Sequence, residues 1–311
     1  MSQSFAFVFP GQGSQHLGML AELAAQHAVI QETFAEASEV LGYDLWDLVQ
    51  NGPEADLNQT DKTQPALLTA GVALWRLWEQ QGGEKPAIMA GHSLGEYTAL
   101  VCAGAISFAD GVTLVRKRGE FMQVAVPAGA GAMAAILGLD DEGIKAACVS
   151  AAEGAVVSPV NFNCPGQVVI AGEKAAVERA IDACKAAGAK RAVPLPVSVP
   201  SHCALMKPAA DQLAEVLASI TVSLPSIPVV QNVAARVPTT PDELKQNLLA
   251  QLYSPVLWTD CVQAMVAQGV ETTLECGPGK VLSGLNKKIH KALVVKAIND
   301  PEGFDAALAS S

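Results

Sequence analysis

Ala87-Ile88-Met89-Ala90-Gly91-His92-Ser93-Leu94-Gly95-Glu96 is the stretch that decides how this chain folds. Four apolar residues in a row read as a short strand, and the alanine- and leucine-containing segment from Glu96 to Gly104 reads as a helix. A serine stands at the apex of the sharp turn between them, with glycines two positions before and two after. A nucleophilic serine needs that spacing, because the elbow is too tight for a Cβ on either side. The following helix aims free N–H groups and the positive end of its dipole at an acyl oxygen gathering negative charge. Ser93 is therefore the candidate nucleophile, and the backbone N–H of Leu94 a candidate oxyanion donor. The alternative is a glycine-rich turn in which Ser93 only caps the helix.

A second glycine loop lies upstream. Ser4 to Pro10 is a strongly apolar strand running into Gly11-Gln12-Gly13-Ser14-Gln15, with an amphipathic helix expected from about Leu17. A dinucleotide fingerprint fails here, since the third glycine would fall on His16, and no Walker lysine follows. A loop flanked by glycines can approach a substrate oxygen closely, which makes the Gln12 N–H a second candidate donor. A tight turn with glycines for backbone reasons alone is the competing account.

Helices are expected to alternate with apolar strands up to about Gln123, where Pro127 to Ala130 breaks the pattern. Beyond it, Ala132–Leu137 reads as a strand and Asp140 caps a helix to about Ala152. Ala155–Phe162 and Gln167–Ala171 read as strands around the turn residues Asn163 to Gly166. Glu173–Ala187 reads as a helix ended by Gly188, and Arg191–Val199 as a last strand. The sum is β-α-β-β-α-β, the split unit of a ferredoxin-like domain. The expected fold is α/β: a large α/β-hydrolase-like domain with a mostly parallel sheet, residues 1–125 and 204–311, interrupted by a small ferredoxin-like domain at 126–203. In the resumed part, helices are expected at Lys207–Ser219 and Asp242–Leu252, and strands at Ile227–Val233 and Thr273–Cys276.

Composition narrows the function. Half of the 311 residues are hydrophobic and 16% charged, which suits a globular core of this size. Seven cysteines without a C-x-x-C pair read as reduced, mostly buried thiols, and with no leader and no long apolar span the expectation is a cytoplasmic protein away from membranes. A net charge of −11 argues against nucleic acid. Lys190-Arg191 and the group Lys280, Lys287, Lys288, Lys291 are basic patches on which an acidic partner could dock, or simply a solvated face. No metal-ligand spacing appears; His92 and Glu96 stand four apart but supply too few ligands.

Ser93 needs a base, and histidine is the usual one. Of five histidines, His16 and His27 lie in the first helical region, His92 adjoins the serine and should point away, and His290 sits in a basic segment. His202 ends the run Val197-Ser198-Val199-Pro200-Ser201-His202, where the small domain returns to the large one, and is the candidate general base and acid. A histidine that merely caps a turn is the alternative, and the group orienting the imidazole is open at this stage. Arg118, three after Val115 and four before Met122, falls on the apolar face of the helix Asp110–Gln123, where a guanidinium needs an anion. That anion is either a substrate carboxylate or a protein Asp or Glu.

With those residues in place, the chain resembles the malonyl-CoA:acyl carrier protein transacylases of bacterial fatty-acid synthesis over nearly its whole length. The resemblance is carried by Phe7 to Gln15, Thr63-Gln64-Pro65-Ala66-Leu67, Gly91 to Tyr97, Arg118-Gly119, Asn161-Phe162-Asn163, Val199 to His202 and Glu275 to Gly279. Cys164 and Cys276 are variations beside these motifs. The resemblance implies a ping-pong acyltransferase that moves malonyl from malonyl-CoA, through an ester on Ser93, to the phosphopantetheine thiol of acyl carrier protein. It implies that the backbone carbonyl of Gln251 orients His202, that Gln12 and Leu94 form the oxyanion hole, and that Arg118 holds the malonyl carboxylate. Gln64, Asn163, Met122 and Met133 become pocket-lining candidates. No tightly bound cofactor is implied beyond coenzyme A as the substrate's carrier, and an acidic carrier protein would dock near Lys190, Arg191, Lys287, Lys288 and Lys291. A stand-alone acyltransferase of polyketide synthesis uses the same motifs, and a serine thioesterase or esterase would use the same serine and histidine.

Overall fold

The computed structural model describes residues 4–197 and 199–310, and contains two sheets. The strands are β1 (Phe5–Phe9), β2 (Ile88–Gly91), β3 (Gly131–Leu137), β4 (Val157–Cys164), β5 (Gln167–Glu173), β6 (Arg191–Pro194), β7 (Val229–Val230), β8 (Thr272–Glu275) and β9 (Val294–Ala297). The larger sheet has the order β7-β2-β1-β8-β9, and every pairing in it is parallel. β1 and β2 carry continuous apolar runs because helices cover both faces of the sheet. Phe7 shows what this burial gathers: its ring meets Trp75 and Trp78 edge to face, at 5.4 and 5.3 Å between centroids.

The smaller sheet has the order β4-β5-β3-β6, with antiparallel pairings throughout. The helices Asp141–Ala152 and Lys174–Ala186 cover one face, and the first is capped by Asp140, whose side chain accepts from Gly143 N–H. The expected β-α-β-β-α-β order is present over Gly131–Pro194. The two sheets are tied through β4, where Val256 N–H donates to Val160 O (2.9 Å) and Phe162 N–H donates to Val256 O (3.0 Å). A register irregularity in β4 between Pro159 and Asn161 lets the strand serve both partners.

Several expectations need correction. Strands do not alternate with helices up to Gln123; five helices separate β1 from β2, ending in Thr60–Gln80. That last helix is buried almost all round and runs through Pro65, a residue that ordinarily marks a helix end. The first helix begins at Ala21, because Gly18 and Leu20 take left-handed backbone conformations that end the turns after the glycine loop. Asn163 and Cys164 belong to β4, leaving Pro165-Gly166 as the turn. β6 stops at Pro194, and of the expected strand's tail Ser198 lies outside the described residues. The strand expected over Ile227–Val233 shortens to β7, with Gln231 and Asn232 turned into the site below. The edge strand β9 and the helices Trp258–Ala267, Val281–Ile289 and Pro301–Leu308 had no reading in the sequence. Among the described residues no helix is long and apolar enough to cross a membrane, and all seven cysteines are free.

Candidate active site

In a parallel sheet all carboxyl ends lie along one edge, and there the loops after β1, β2 and β7 converge. The elbow after β2 is as tight as its glycines require. A Cβ on Gly91 would lie 1.9 Å from the Gly95 carbonyl carbon, and one on Gly95 would lie 2.0 Å from Phe9 O. Ser93 itself takes φ 52° and ψ −110°, an uncommon conformation for a residue bearing a side chain. It occupies the N-cap position of the helix Leu94–Cys102 but makes no capping bond. Its hydroxyl meets His202 Nε2 at 2.7 Å and accepts from Arg118 Nη2 at 3.3 Å.

His202 is held on three sides. Its backbone N–H donates to Leu252 O (3.0 Å), its φ is +64°, and its Nδ1 lies 2.6 Å from the backbone carbonyl of Gln251. A carbonyl only accepts, so Nδ1 carries the proton and Nε2 presents a lone pair to the Ser93 hydroxyl. Burial first, then the nearby Arg118 charge, lower the imidazole pKa to about 3. The ring is therefore neutral at pH 7, the state a general base requires.

Arg118 lies 1% exposed on the helix Phe108–Ala125 and forms no ion pair with a carboxylate among the described residues. Its Nη1 donates to Gln64 Oε1 (2.8 Å), its Nη2 to Gln251 Oε1 (3.0 Å), and its Nε has no partner. The Tyr97 ring lies beneath it, 5.1 Å from the guanidinium. Gly119 allows this reach, since a Cβ there would meet the Asp61 backbone at 2.7 Å and push the helix off Thr60–Gln80. Of the two anions open to Arg118 in the sequence, the protein carboxylate is thus not bound to it. A buried cation held only by neutral acceptors retains capacity for an anionic ligand.

Gln64 and Met122 join this cluster, the Gln64 amide nitrogen lying 3.6 Å from the Met122 sulfur. Asn163 instead bonds His92, Oδ1 to Nε2 at 2.7 Å, turning that ring away from Ser93. Met133 is buried with Val160, Val169, Ala171 and Cys203 in a cluster of its own on the small sheet. Gly11 approaches the elbow so closely that a Cβ would lie 2.5 Å from His92 O, bringing the Gln12 loop against it. The N–H groups of Gln12 and Leu94 donate to no protein acceptor among the described residues. Lys190, Arg191, Lys287, Lys288 and Lys291 are all exposed.

Three polar residues, Glu96, Gln231 and Asn232, had no role in the site assigned from the sequence. Glu96, fully buried, accepts from Asn232 N–H (2.7 Å), Gln251 Nε2 (3.1 Å) and Gln231 Nε2 (3.1 Å). Burial raises its pKa to about 7 against the lowering effect of these bonds. Asn232 accepts from Ser93 N–H (2.8 Å) and donates to Gly91 O (2.7 Å), bracing the elbow from below. The available signal was two amides, Gln231-Asn232, directly after an apolar strand. Glu275 of the C-terminal motif is structural: its carboxylate accepts from Leu282 and Ser283 N–H and caps the helix Val281–Ile289. A surface hollow bordered by Val270, His290 and Val294 opens at the amino ends of β8 and β9, away from this cluster.

Comparison with known proteins agrees with this geometry. Residues 6–298 match the family model described as acyl transferase domain. The malonyl CoA-acyl carrier protein transacylase of Escherichia coli K12 is 66% identical over 304 residues, covering 98% of both chains, and that of Bacillus subtilis is 49% identical, covering 97% of this chain and 96% of the relative. Among solved structures, an acyl carrier protein S-malonyltransferase from Vibrio cholerae superposes with a TM-score of 0.96 at 65% identity, covering 98% of this chain and 99% of the other. A malonyl-transacylase in complex with a type II PKS acyl-carrier protein superposes with a TM-score of 0.98 at 60% identity, covering 99% and 100%.

Proposed function

This chain belongs to the malonyl CoA-acyl carrier protein transacylases of the acyl transferase domain family, and on that footing we propose how its residues carry a malonyl group between two thiols. The supporting observation is a buried guanidinium with no carboxylate partner among the described residues, 3.3 Å from a serine hydroxyl that is itself 2.7 Å from a neutral imidazole.

Arg118 takes the malonyl carboxylate and sets the thioester carbon over Ser93. The Ser93 proton passes to His202 Nε2 as Oγ bonds to the carbonyl carbon, and the resulting oxyanion accepts from Gln12 N–H and Leu94 N–H, each donor worth on the order of 10²–10³ in rate. Collapse of this intermediate breaks the C–S bond, and His202 returns its proton to the departing coenzyme A sulfur. The phosphopantetheine thiol of the carrier then gives its proton to His202 and attacks the ester; Ser93 leaves as the alkoxide and recovers the proton. The malonyl carboxylate also offsets the Arg118 charge that depresses His202, so substrate binding raises the proton affinity of the base when it is needed. Gln251 orients His202 through its backbone carbonyl, while Gln64 and Met122 line the acyl site.

Residues 1–125 with 204–311 act as the catalytic, hydrolase-like domain, and 126–203 as a ferredoxin-like domain across the cleft, in keeping with the strand order β4-β5-β3-β6. The carrier docks where the two meet. Lys190 packs over Gly138, which bonds to Gly166 in the β4–β5 turn, and Lys288 lies close enough to Cys164 to influence its thiol. The two basic groups thus flank one hairpin, two residues from Asn163 and its bond to His92.

Incubation with radiolabelled malonyl-CoA should leave label on the Ser93 peptide, and added holo carrier protein should remove it as malonyl-carrier. Label on any other peptide, or release to water at the same rate with and without carrier, overturns the scheme. Similarity to the transacylase bound to a type II PKS carrier makes a polyketide carrier the second candidate acceptor, and chasing the label with each carrier ranks the two.

A further inference from the structure

The reaction scheme uses the backbone carbonyl of Gln251 but not its side chain, and does not use Glu96. Yet the Gln251 amide is the one group touching the carboxylate of Glu96, the backbone of the elbow and the guanidinium of Arg118. Its Nε2 donates to Glu96 Oε2 (3.1 Å), Ser93 O (3.0 Å) and Asn232 Oδ1 (3.3 Å), and its Oε1 accepts from Arg118 Nη2 (3.0 Å).

We propose that Glu96 is a positioning residue for malonyl selectivity, fixing the polarity of the Gln251 amide so that its oxygen, and not its nitrogen, faces Arg118. The two ends of a carboxamide have nearly the same shape, so its orientation is set by what surrounds it. Every hydrogen bond that Glu96 makes is one it accepts, from Asn232 N–H and the Gln231 and Gln251 amides, and among the described residues it is the only ionisable acceptor the Gln251 nitrogen meets. With the nitrogen drawn to Glu96, the oxygen is left for Arg118 and the guanidinium stays aimed at Ser93. An amide turned the other way would set N–H against N–H and drive Arg118 out of line. The same carboxylate accepts from Asn232 N–H, whose side chain holds Ser93 N–H, so one buried group sets both the acyl selector and the elbow.

This proposal rests on the reading of Arg118 as partner of the malonyl carboxylate. Its test is the ratio of kcat/KM for loading Ser93 from malonyl-CoA and from acetyl-CoA, measured in the full-length enzyme. Glu96→Gln should lower that ratio about tenfold, the scale of one charge-assisted hydrogen bond. Gln251→Met, which keeps the backbone carbonyl, should lower it by a similar factor, and the double variant should lower it no further. A rise in the ratio in Glu96→Gln would mean that the carboxylate acts only by offsetting the Arg118 charge, and overturns the proposal. So does additivity in the double variant. Where Glu96→Gln does not fold, Glu96→Asp keeps the charge but shortens the reach, and an unchanged ratio there overturns the proposal as well. Arg118→Ala separates the two levels: an unchanged ratio in that variant removes the carboxylate reading and this inference with it. A ratio that collapses in Arg118→Ala but holds in Glu96→Gln removes this inference alone.

Discussion

Every residue of β1, β2, β7 and β8 is buried, whereas β3 mixes buried and half-buried residues, and the edge strands β6 and β9 have no buried residue. In the parallel sheet, helices on both faces hold β1, β2, β7 and β8 in place, and the loops at their carboxyl ends inherit that rigidity. The antiparallel sheet sends Ala134 and Ile136 toward its two helices, while Met133, Val160, Val169 and Ala171 gather around Cys203 on the other face. Ser93 and the Gln12 loop follow strands of the parallel sheet, Arg118 and Gln251 stand on helices outside the antiparallel segment, and the antiparallel sheet contributes Asn163, which bonds His92. His202 stands at the seam, with its backbone and ring both bonded to the end of the helix Pro241–Gln251. The chemistry is thus concentrated where the backbone is most constrained, and the less constrained sheet is left to cover it.

The most severe way to break this contrast is at the seam. His202→Ala should reduce malonyl loading of Ser93 by on the order of 10³-fold or more, because a serine without its base loses most of its reactivity. A loss below about tenfold would place the base elsewhere. The same variant sharpens the contrast in stability. In the folded protein the His202 pKa is lowered to about 3, below its ordinary value near 6.5, so the stability tied to its neutral form is complete above pH 6.5 and is lost as the pH falls toward 3. The loss should be on the order of a few kcal/mol across that window, read as a fall in the denaturant midpoint between pH 7 and pH 4. His202→Ala should fall less over the same range, and equal declines would refute the assignment.

Smaller effects belong to the smaller sheet. Asn163→Ala removes the 2.7 Å bond to His92 and should slow loading from malonyl-CoA and acetyl-CoA alike, by about tenfold or less. A selective loss of malonyl would show that the small sheet reads the acyl group. Lys288→Glu should raise the KM for an acidic carrier a few-fold, with the difference fading at high salt, while loading from malonyl-CoA is unchanged. An unaltered carrier KM would move the docking surface off this hairpin.

The contrast also explains what could be read in advance. The small sheet announced itself because its elements are local: Asp140 caps, Pro165-Gly166 turns and Gly188 terminates within a few residues of what they control. The elbow was equally plain, since Gly91 and Gly95 answer a clash spanning five residues. The five helices between β1 and β2 were harder, because Thr60–Gln80 is buried on nearly every side and carries Pro65 in its interior. Gln251 entered only through family resemblance, and the roles of its side chain, of Glu96 and of Asn232 not at all. Their partners lie 155, 136 and 139 residues away in the chain.

By itself the sequence determined a serine on a glycine elbow, a histidine just after the β-α-β-β-α-β segment, an arginine on an apolar helix face and a family to which all three belong. Those features follow from steric and periodic rules that act over a few residues, so they are written where they operate. Only the tertiary structure decided that Arg118 pairs with no carboxylate among the described residues, that the His202 ring is neutral and which of its nitrogens faces Ser93, and that a buried Glu96 stands behind the Gln251 amide. Charge, protonation and amide polarity depend on what is within about 4 Å in space, and a parallel sheet brings together side chains from loops more than a hundred residues apart.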